Sequence, residues 1–116
     1  MLDVGATSGR YVEVTTLAEL RDAFATLHRV AGRAIVIARS ARGVHAFDGT
    51  CTHARFHFGT SRLVEGCELE CPIHGARFDA STGAVTKGPA RLPLPRIPIE
   101  VENGIVRVFV DWPETP

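Results

Sequence analysis

Two short clusters of cysteine and histidine constrain this chain more than any other feature of its sequence. The first is the stretch CTH, with Cys51 and His53, and the second is CPIHG, with Cys71 and His74. Seventeen residues separate the two clusters, and a glycine near each one lets the backbone bend sharply. Two thiolates and two imidazoles that converge in this way are a ligand set for a metal. The identity of that metal decides the function.

The rest of the composition is typical of one small domain. The chain has 116 residues, enough to bury a core without cross-links. Its formal net charge is zero, so no global positive field favours nucleic acid or an anionic membrane as a partner. The start MLDVGATSGRYVEV lacks an apolar signal region, and no run approaches the roughly 18 apolar residues of a membrane span. Three cysteines do not form a disulfide framework, so we expect a soluble cytoplasmic protein.

The N-terminal region is predicted to contain a strand and then a helix, both within residues 1–33. YVEVTT alternates between polar and apolar residues, as strands do. The stretch TLAELRDAFATLHRVAG, residues 16–32, predicts a helix with Thr16 and Glu19 as a capping box and Gly32 as its C-terminal stop. Its apolar stripe has helical spacing and consists of Leu17, Leu20, Phe24 and Leu27.

The remainder of the chain is predicted to be β-rich. RAIVIARSARGVHAFDG predicts a hairpin, with AIVIA and VHAF as strands around the turn SARG. RLVEG and ELEC predict short strands, and ARFDASTGAV predicts strand, turn and strand. Four prolines in GPARLPLPRIP exclude a central strand, whereas Asn103-Gly104 in IPIEVENGIVRVFV is a strong hairpin signal. We therefore expect one all-β domain over 1–116, apart from the N-terminal helix, with a distinct lobe over residues 49–90.

Ligand chemistry alone leaves two interpretations of the clusters open. Two cysteines and two histidines can bind a structural zinc ion, but ordinary zinc fingers group like residues in pairs and place the histidines on a helix. A binuclear iron–sulfur cluster with mixed ligation is the alternative. If each loop gives one ligand to each iron, Cys51 and Cys71 bind one iron, and His53 and His74 bind the other.

The pattern CTH, a gap of seventeen residues and then CPIHG resembles the Rieske motif, Cys-x-His followed by Cys-x-x-His. The resemblance extends to LVEG, to ARFDASTGAV and to GPARLPLPRIPIEVENGIVRV, and covers about residues 43–110. It implies a Rieske-like antiparallel β-sandwich with a small cluster-binding lobe. It also implies a [2Fe-2S] cluster bound by Cys51, His53, Cys71 and His74.

The same resemblance predicts a low-potential member of the family. High-potential members carry an extra cysteine in each loop, joined as a disulfide, and hydroxyl donors after the second histidine. This chain has Ile73 in the second loop, no cysteine after His53, and Gly75-Ala76-Arg77-Phe78 without hydroxyl groups. Fewer hydrogen-bond donors to the cluster lower its potential, so we expect a midpoint near the bottom of the Rieske range, about −150 mV.

The function implied by the resemblance is electron transfer. The chain has no GxGxxG motif and no P-loop. Beyond the four predicted ligands, we identify no pair of histidines with a carboxylate that would bind a second, mononuclear iron. Small Rieske proteins of this kind resemble the ferredoxin components of ring-hydroxylating dioxygenase systems. There the partners are a flavin-dependent ferredoxin reductase and a terminal oxygenase, and the ferredoxin itself turns over no substrate. A small Rieske subunit of a larger reductase, such as nitrite reductase, and a structural or redox-sensing metal module are the alternatives.

Other residues near the clusters receive structural interpretations. We expect Cys67 to be a small buried residue and His57 to be a loop histidine, neither of them a ligand. Phe56 and Phe58 are expected to shield the site. The PLP run at residues 93–95 is expected to support the ligand loops.

Overall fold

The structure is a computed structural model that describes residues 9–52, 57–73 and 75–113. This part of the chain contains strands and one 3-10 turn, Leu17–Glu19, and no described helix is long and apolar enough to cross a membrane. The strands, numbered in chain order, are β1 Arg10–Thr16, β2 Phe24–Val30, β3 Arg33–Ser40, β4 Gly43–Asp48, β5 Ser61–Arg62, β6 Glu68–Glu70, β7 Arg77–Asp79, β8 Val85–Lys87, β9 Arg96–Ile97, β10 Ile99–Glu102 and β11 Ile105–Val110.

The strands form three antiparallel sheets. The largest has the order β5-β2-β3-β4-β9, and the two smaller sheets have the orders β1-β11-β10 and β6-β7-β8. The β-rich fold predicted from the sequence is therefore confirmed. The proline-rich segment contributes only the two-residue edge strand β9, as expected for a stretch that lacks backbone donors.

Two tight turns set the register of the long hairpins. Asn103 and Gly104 join β10 to β11 with φ values of 54° and 77°, and Ala31 and Gly32 join β2 to β3 with φ values of 49° and 82°. Positive φ at both central residues matches the twist of the flanking strands. Both the Asn103-Gly104 hairpin and the β3–β4 hairpin are confirmed predictions.

The predicted helix over residues 16–32 is wrong. Only Leu17–Glu19 makes a 3-10 turn, and Phe24–Val30 form strand β2, paired along its full length with β3. Ala23 has a φ of 60° between the two, which interrupts any helix. Thr16 makes no side-chain cap, and Gly32 ends a hairpin turn rather than a helix. Pairing on β3 and β5 overrides the helical spacing of the apolar residues.

The five-stranded sheet is the middle layer, with a hydrophobic core on each face. Strand β3 is buried on both sides, because Ile35 and Ile37 face one core while Val36 and Ala38 face the other. The first core includes Val106, Val108 and Val110 of β11. The second includes residues of the β6-β7-β8 sheet and of the segments that carry the cysteines. This second core positions the candidate site. Its buried members are Ala25, Val36, Ala38, Phe47, Cys51, Phe58, Leu63, Leu69, Cys71, Ala76, Phe78, Ala80, Ala90 and Leu94.

Candidate metal centre

The first cysteine lies in one of two described segments, residues 49–52 and 57–58 (together the first loop), that pair with each other. Thr50 and His57 form an isolated antiparallel bridge, and the Phe58 amide donates to the Gly49 carbonyl at 2.9 Å. The Thr50 hydroxyl lies 3.2 Å from His57 Nδ1. Cys51 follows directly after Thr50, so its position is fixed by backbone contacts on its N-terminal side.

Gly49 brings the first loop close to the middle sheet. Its amide donates to the Ala34 carbonyl at 2.9 Å. A Cβ at this position would lie 2.9 Å from the carbonyl carbon and oxygen of Ala34 and 2.9 Å from Leu27 Cδ1. Real Cβ atoms do not approach backbone so closely, so the first loop can pass over β3 only where a glycine stands.

The second cysteine lies between β6 and β7, in the described residues 71–73 and 75–76 (the second loop). The Cys71 amide donates to the Ala76 carbonyl at 2.8 Å, and the Gly75 amide donates to the Cys71 carbonyl at 3.0 Å. Gly75 has a φ of 75°, a conformation that side chains disfavour. The second loop is thus closed by its own backbone.

The two predicted cysteine ligands share one core. Cys51 is 3% exposed and Cys71 is 1% exposed, and both belong to the hydrophobic cluster that contains Phe58 and Phe78. The rings of these two phenylalanines meet edge to face with centroids 5.8 Å apart. None of the three cysteines, all of them described, forms a disulfide. Two unoxidised thiols buried in an apolar core fit the thiolate ligands of an iron–sulfur cluster.

The predicted ligands His53 and His74 lie outside the described residues, as do Arg55 and Phe56. The structure therefore brings together the two predicted thiolate ligands. Their imidazole counterparts remain a prediction from the sequence motif.

Cys67 departs from its predicted role. It was expected to be a small buried residue, but it is exposed. Glu65 and Gly66, directly before it, both have positive φ, at 51° and 76°, and turn the chain outward. His57 is exposed beside Thr50, and Phe58 is buried.

The proline-rich segment lies against the first loop and against the β7–β8 turn. The Thr52 hydroxyl donates to the Leu92 carbonyl at 2.7 Å, and the Asp48 amide donates to the Pro95 carbonyl at 3.0 Å. Buried Leu94 packs in the same core as the cysteines, and its amide donates to the Gly83 carbonyl at 2.9 Å. These contacts fit the supporting role expected of the PLP run.

Sequence reasoning missed the polar residues around the loops. Asp48 accepts a hydrogen bond from the Thr50 amide at 3.0 Å, which closes a turn over Gly49. The signal that could have found it is an aspartate followed by glycine at a strand end, a common turn pattern. Arg77, directly after the second loop, is paired with Glu70 at 3.0 Å.

Asp79, the last residue of β7, and His45 on β4 both have lowered pKa values. Hydrogen bonds from the hydroxyl and amide of Ser81 lower the pKa of Asp79, which closes the β7–β8 turn. Burial lowers the pKa of His45 on β4, and nearby Arg96 lowers it further, while Asp79 acts in the opposite direction. His45 is thus neutral over a wider pH range than an exposed histidine.

The chain belongs to the Rieske family, because the model of the Rieske [2Fe-2S] domain matches residues 10–98. Its cofactor is a [2Fe-2S] cluster, consistent with the buried thiols.

The chain is similar to ferredoxin components of dioxygenase systems. The chain is 28% identical to the ferredoxin component of the naphthalene 1,2-dioxygenase system of Pseudomonas putida. The aligned 102 residues cover 88% of this chain and 95% of that protein. It superimposes on the ferredoxin of carbazole 1,9a-dioxygenase from Nocardioides aromaticivorans IC177 with a TM-score of 0.77 and 32% identity, over 89% of this chain and 97% of that one. It also matches a chain in a complex of reduced oxygenase and oxidized ferredoxin of carbazole 1,9a-dioxygenase, with a TM-score of 0.73 and 28% identity, over 84% of this chain and 99% of that one.

Proposed function

We propose that this protein is a one-electron carrier, the ferredoxin component of a ring-hydroxylating dioxygenase system. The observation that carries the proposal is the structural similarity to the ferredoxin of a carbazole dioxygenase, which extends over 97% of that ferredoxin. The two buried thiols of Cys51 and Cys71 lie in one apolar core and are of the ligand type that an iron–sulfur cluster requires.

The proposed ligand set is Cys51 and Cys71 on one iron and His53 and His74 on the other. The two thiols in one core support the first half of this set, and the motif supports the second half. We also propose that residues 1–116 form a single domain with residues 49–90 as the cluster-binding lobe.

The bound cluster supplies the one-electron chemistry, and the chain fixes its surroundings. Phe58, Phe78 and Leu94 belong to the same buried apolar cluster as the two thiols. Neutral imidazole ligands favour a higher potential than four thiolates do, whereas the missing hydroxyl donors at Ala76 and Phe78 favour a lower one within the family. We expect a midpoint of about −150 mV, and a value well above zero would contradict this subtype.

The proposed partners are a flavin-dependent ferredoxin reductase, which donates electrons, and a terminal aromatic-ring dioxygenase, which accepts them. Ile73 in the second loop and Leu92 beside the first loop are large, exposed and apolar. Apolar groups exposed next to a redox centre support contact with a protein partner. We place the protein in the cytoplasm, where a reduced carrier of this kind would meet both partners.

The first test is the content of iron, acid-labile sulfide and zinc in anaerobically purified protein. Two irons and two sulfides per chain are expected, and one zinc without iron or sulfide would overturn the proposal. Cys51→Ser should abolish the visible spectrum of the cluster, whereas Cys67→Ser, a matched change at an exposed cysteine, should leave it intact.

The second test is electron flow. The reduced protein should be reoxidised by a terminal oxygenase with its aromatic substrate and reduced again by a ferredoxin reductase with NADH. A protein that carries the cluster but exchanges electrons with neither partner, and instead co-purifies with a larger reductase, would favour the alternative role.

A further inference from the structure

Three side chains in contact with one another link the first loop to the C-terminal segment. The first of them is Asp48, the last residue of β4. One carboxylate oxygen of Asp48 accepts the Thr50 amide hydrogen at 3.0 Å. Thr50 directly precedes Cys51, so the carboxylate holds the Gly49–Thr50 peptide, one residue before the cysteine.

The second member, Arg33, binds the other oxygen of the same carboxylate. Arg33 Nη2 lies 3.5 Å from Asp48 Oδ2, and the side chains of Arg33 and Asp48 are 46% and 20% exposed. Arg33 is the first residue of β3, and the pairing of Ile35 with Asp48 brings it to the end of β4. The ion pair therefore joins the start of one central strand to the end of its neighbour.

The third member is Trp112. The Arg33 guanidinium lies over the Trp112 ring, 4.8 Å from its centroid. The indole N–H donates to the Ala31 carbonyl at 3.2 Å, in the turn that precedes Arg33. A guanidinium stacked on an aromatic ring loses fewer conformers when it pairs with a carboxylate, because its plane is already fixed.

We propose that Asp48 is a positioning residue for the cluster: held by Arg33 on Trp112, it orients the Thr50 amide and so the direction in which Cys51 enters the first loop. This inference rests on the proposed function only in taking Cys51 as a cluster ligand. An exposed ion pair contributes little to global stability. Its main effect is therefore on the geometry of the adjacent loop.

The contact with Thr50 is local to the first loop. In the second loop the Cys71 amide is satisfied by the Ala76 carbonyl, from the same hairpin. The amide before Cys51 depends instead on a side chain that is tethered to residues 33 and 112. A change far from the cluster should then alter the spectrum of the cluster through the first loop alone.

The test compares Asp48→Ala and Asp48→Asn with Glu102→Gln in the cluster-loaded protein. Glu102 pairs with Arg107 at 3.8 Å in the three-stranded sheet, so its variant controls for the loss of one surface carboxylate. The readouts are the rate of iron release to a chelator and the EPR g-values of the reduced cluster. Loss of one hydrogen bond of about 1 kcal/mol corresponds to roughly fivefold faster release in Asp48→Ala, together with shifted g-values.

Asp48→Asn keeps an oxygen acceptor for the Thr50 amide. Because it loses the ion pair with Arg33, it should shift the g-values in the same direction as Arg33→Gln, and its rate of iron release should lie between those of the wild type and Asp48→Ala. Wild-type behaviour of Asp48→Ala would overturn the proposal. If that variant does not fold, Arg33→Gln decides, because it keeps Asp48 but removes the ion pair: shifted g-values support the proposal, and wild-type g-values overturn it.

A double-mutant cycle tests whether the three side chains act together. Trp112→Ala should shift the g-values in the same direction as Arg33→Gln, and the double variant should shift them no further. Trp112→Phe, which keeps a ring under Arg33, should resemble the wild type. Additive shifts would overturn the proposed coupling. Failure of the proposed function would look different, because the wild-type protein would then contain no iron and sulfide at all.

Discussion

The two loops that carry the cysteines are held in opposite ways. The first loop depends on distant parts of the chain: Gly49 contacts Ala34, Thr52 contacts Leu92, and Asp48 contacts Arg33. The second loop is closed within one hairpin by backbone hydrogen bonds between Cys71 and its neighbours Gly75 and Ala76.

This difference separates two ways of fixing a ligand. A loop closed by its own backbone keeps its shape through most side-chain changes and responds to changes in backbone conformation. A loop tied to remote segments responds to side chains that are far away in the sequence. The loops nevertheless share one core, in which Phe58 and Phe78 are in contact, so a large enough defect there should affect both.

The largest expected effect is the removal of that shared contact. Phe58→Ala should lower the free energy of unfolding by about 4 kcal/mol, because it leaves a cavity in place of a buried ring. It should also reduce the amount of iron bound per chain, because both cysteines lie in this core. Urea denaturation and iron analysis measure the two effects. Phe109→Ala is the control, since Phe109 makes a similar edge-to-face contact with Tyr11 but lies outside this core. A cost below about 1 kcal/mol for Phe58→Ala would show that the loops do not share a core.

The next effect should be confined to the first loop. Gly49→Ala places a Cβ against the Ala34 backbone, which cannot yield, and should cost about 2 kcal/mol. Amide hydrogen exchange should show faster exchange at Phe58, whose amide bonds to Gly49, and unchanged exchange at Cys71. The matched control is Gly59→Ala, because a Cβ at Gly59 meets no described atom within 4 Å. Equal exchange changes in both loops would remove the distinction between them.

A backbone change should affect the second loop alone. Gly75 has a φ of 75°, so Gly75→Ala should cost about 1 kcal/mol through strain in the left-handed region. Gly75→Asn should recover part of this cost, since asparagine tolerates that region better. Thermal unfolding and exchange at Cys71 provide the measurement. If alanine and asparagine are equally harmful, the cause is contact with neighbouring side chains and not backbone conformation.

The sequence predicted the features of the site that are local in the chain. The turn at Asn103-Gly104 and the strands of ARFDASTGAV are readable within a few residues, and the structure contains them. The spacing of the ligands around Cys51 and Cys71 is equally local and stays a prediction. The tether from Asp48 through Arg33 to Trp112 spans most of the chain. No local pattern encodes such a contact, because it depends on which strands become neighbours.

The errors have the same origin. The apolar residues between Leu17 and Leu27 are spaced for a helix, but their second half pairs with β3, which supplies backbone hydrogen bonds and a buried face at once. Cys67 was expected in the core because cysteine is usually buried. It follows a turn in which Glu65 and Gly66 both have positive φ, and a non-glycine residue with positive φ is hard to anticipate from sequence.

A smaller effect tests whether the second loop needs its flanking ion pair. Arg77 Nε lies 3.0 Å from Glu70, and Arg77 also approaches Glu68 at 3.9 Å. Glu70→Gln should therefore cost no more than about 0.5 kcal/mol, since the pair is partly exposed and Glu68 remains. The rate of iron release should equal that of the Glu102→Gln control. A release rate as fast as that of Asp48→Ala would mean that both loops depend on side chains, and the contrast between them would fail.

The smallest expected effect is the pH dependence contributed by His45 on β4. Its strand β4 leads into the first loop, and Asp79, which it faces together with Arg96, ends the strand that follows the second loop. Burial lowers its pKa in the folded state below the ordinary 6.5. The unfolded chain then binds the proton more readily, so stability is fully present above pH 6.5 and declines as the pH falls through the lowered pKa. Urea midpoints measured from about pH 8 to about pH 5 should decline less in His45→Gln than in the wild type. His28, whose pKa burial also lowers, contributes to both proteins alike and cancels in the comparison. A steeper decline in the variant would mean that attraction to Asp79 outweighs burial, and that protonation of His45 draws the supports of the two loops together.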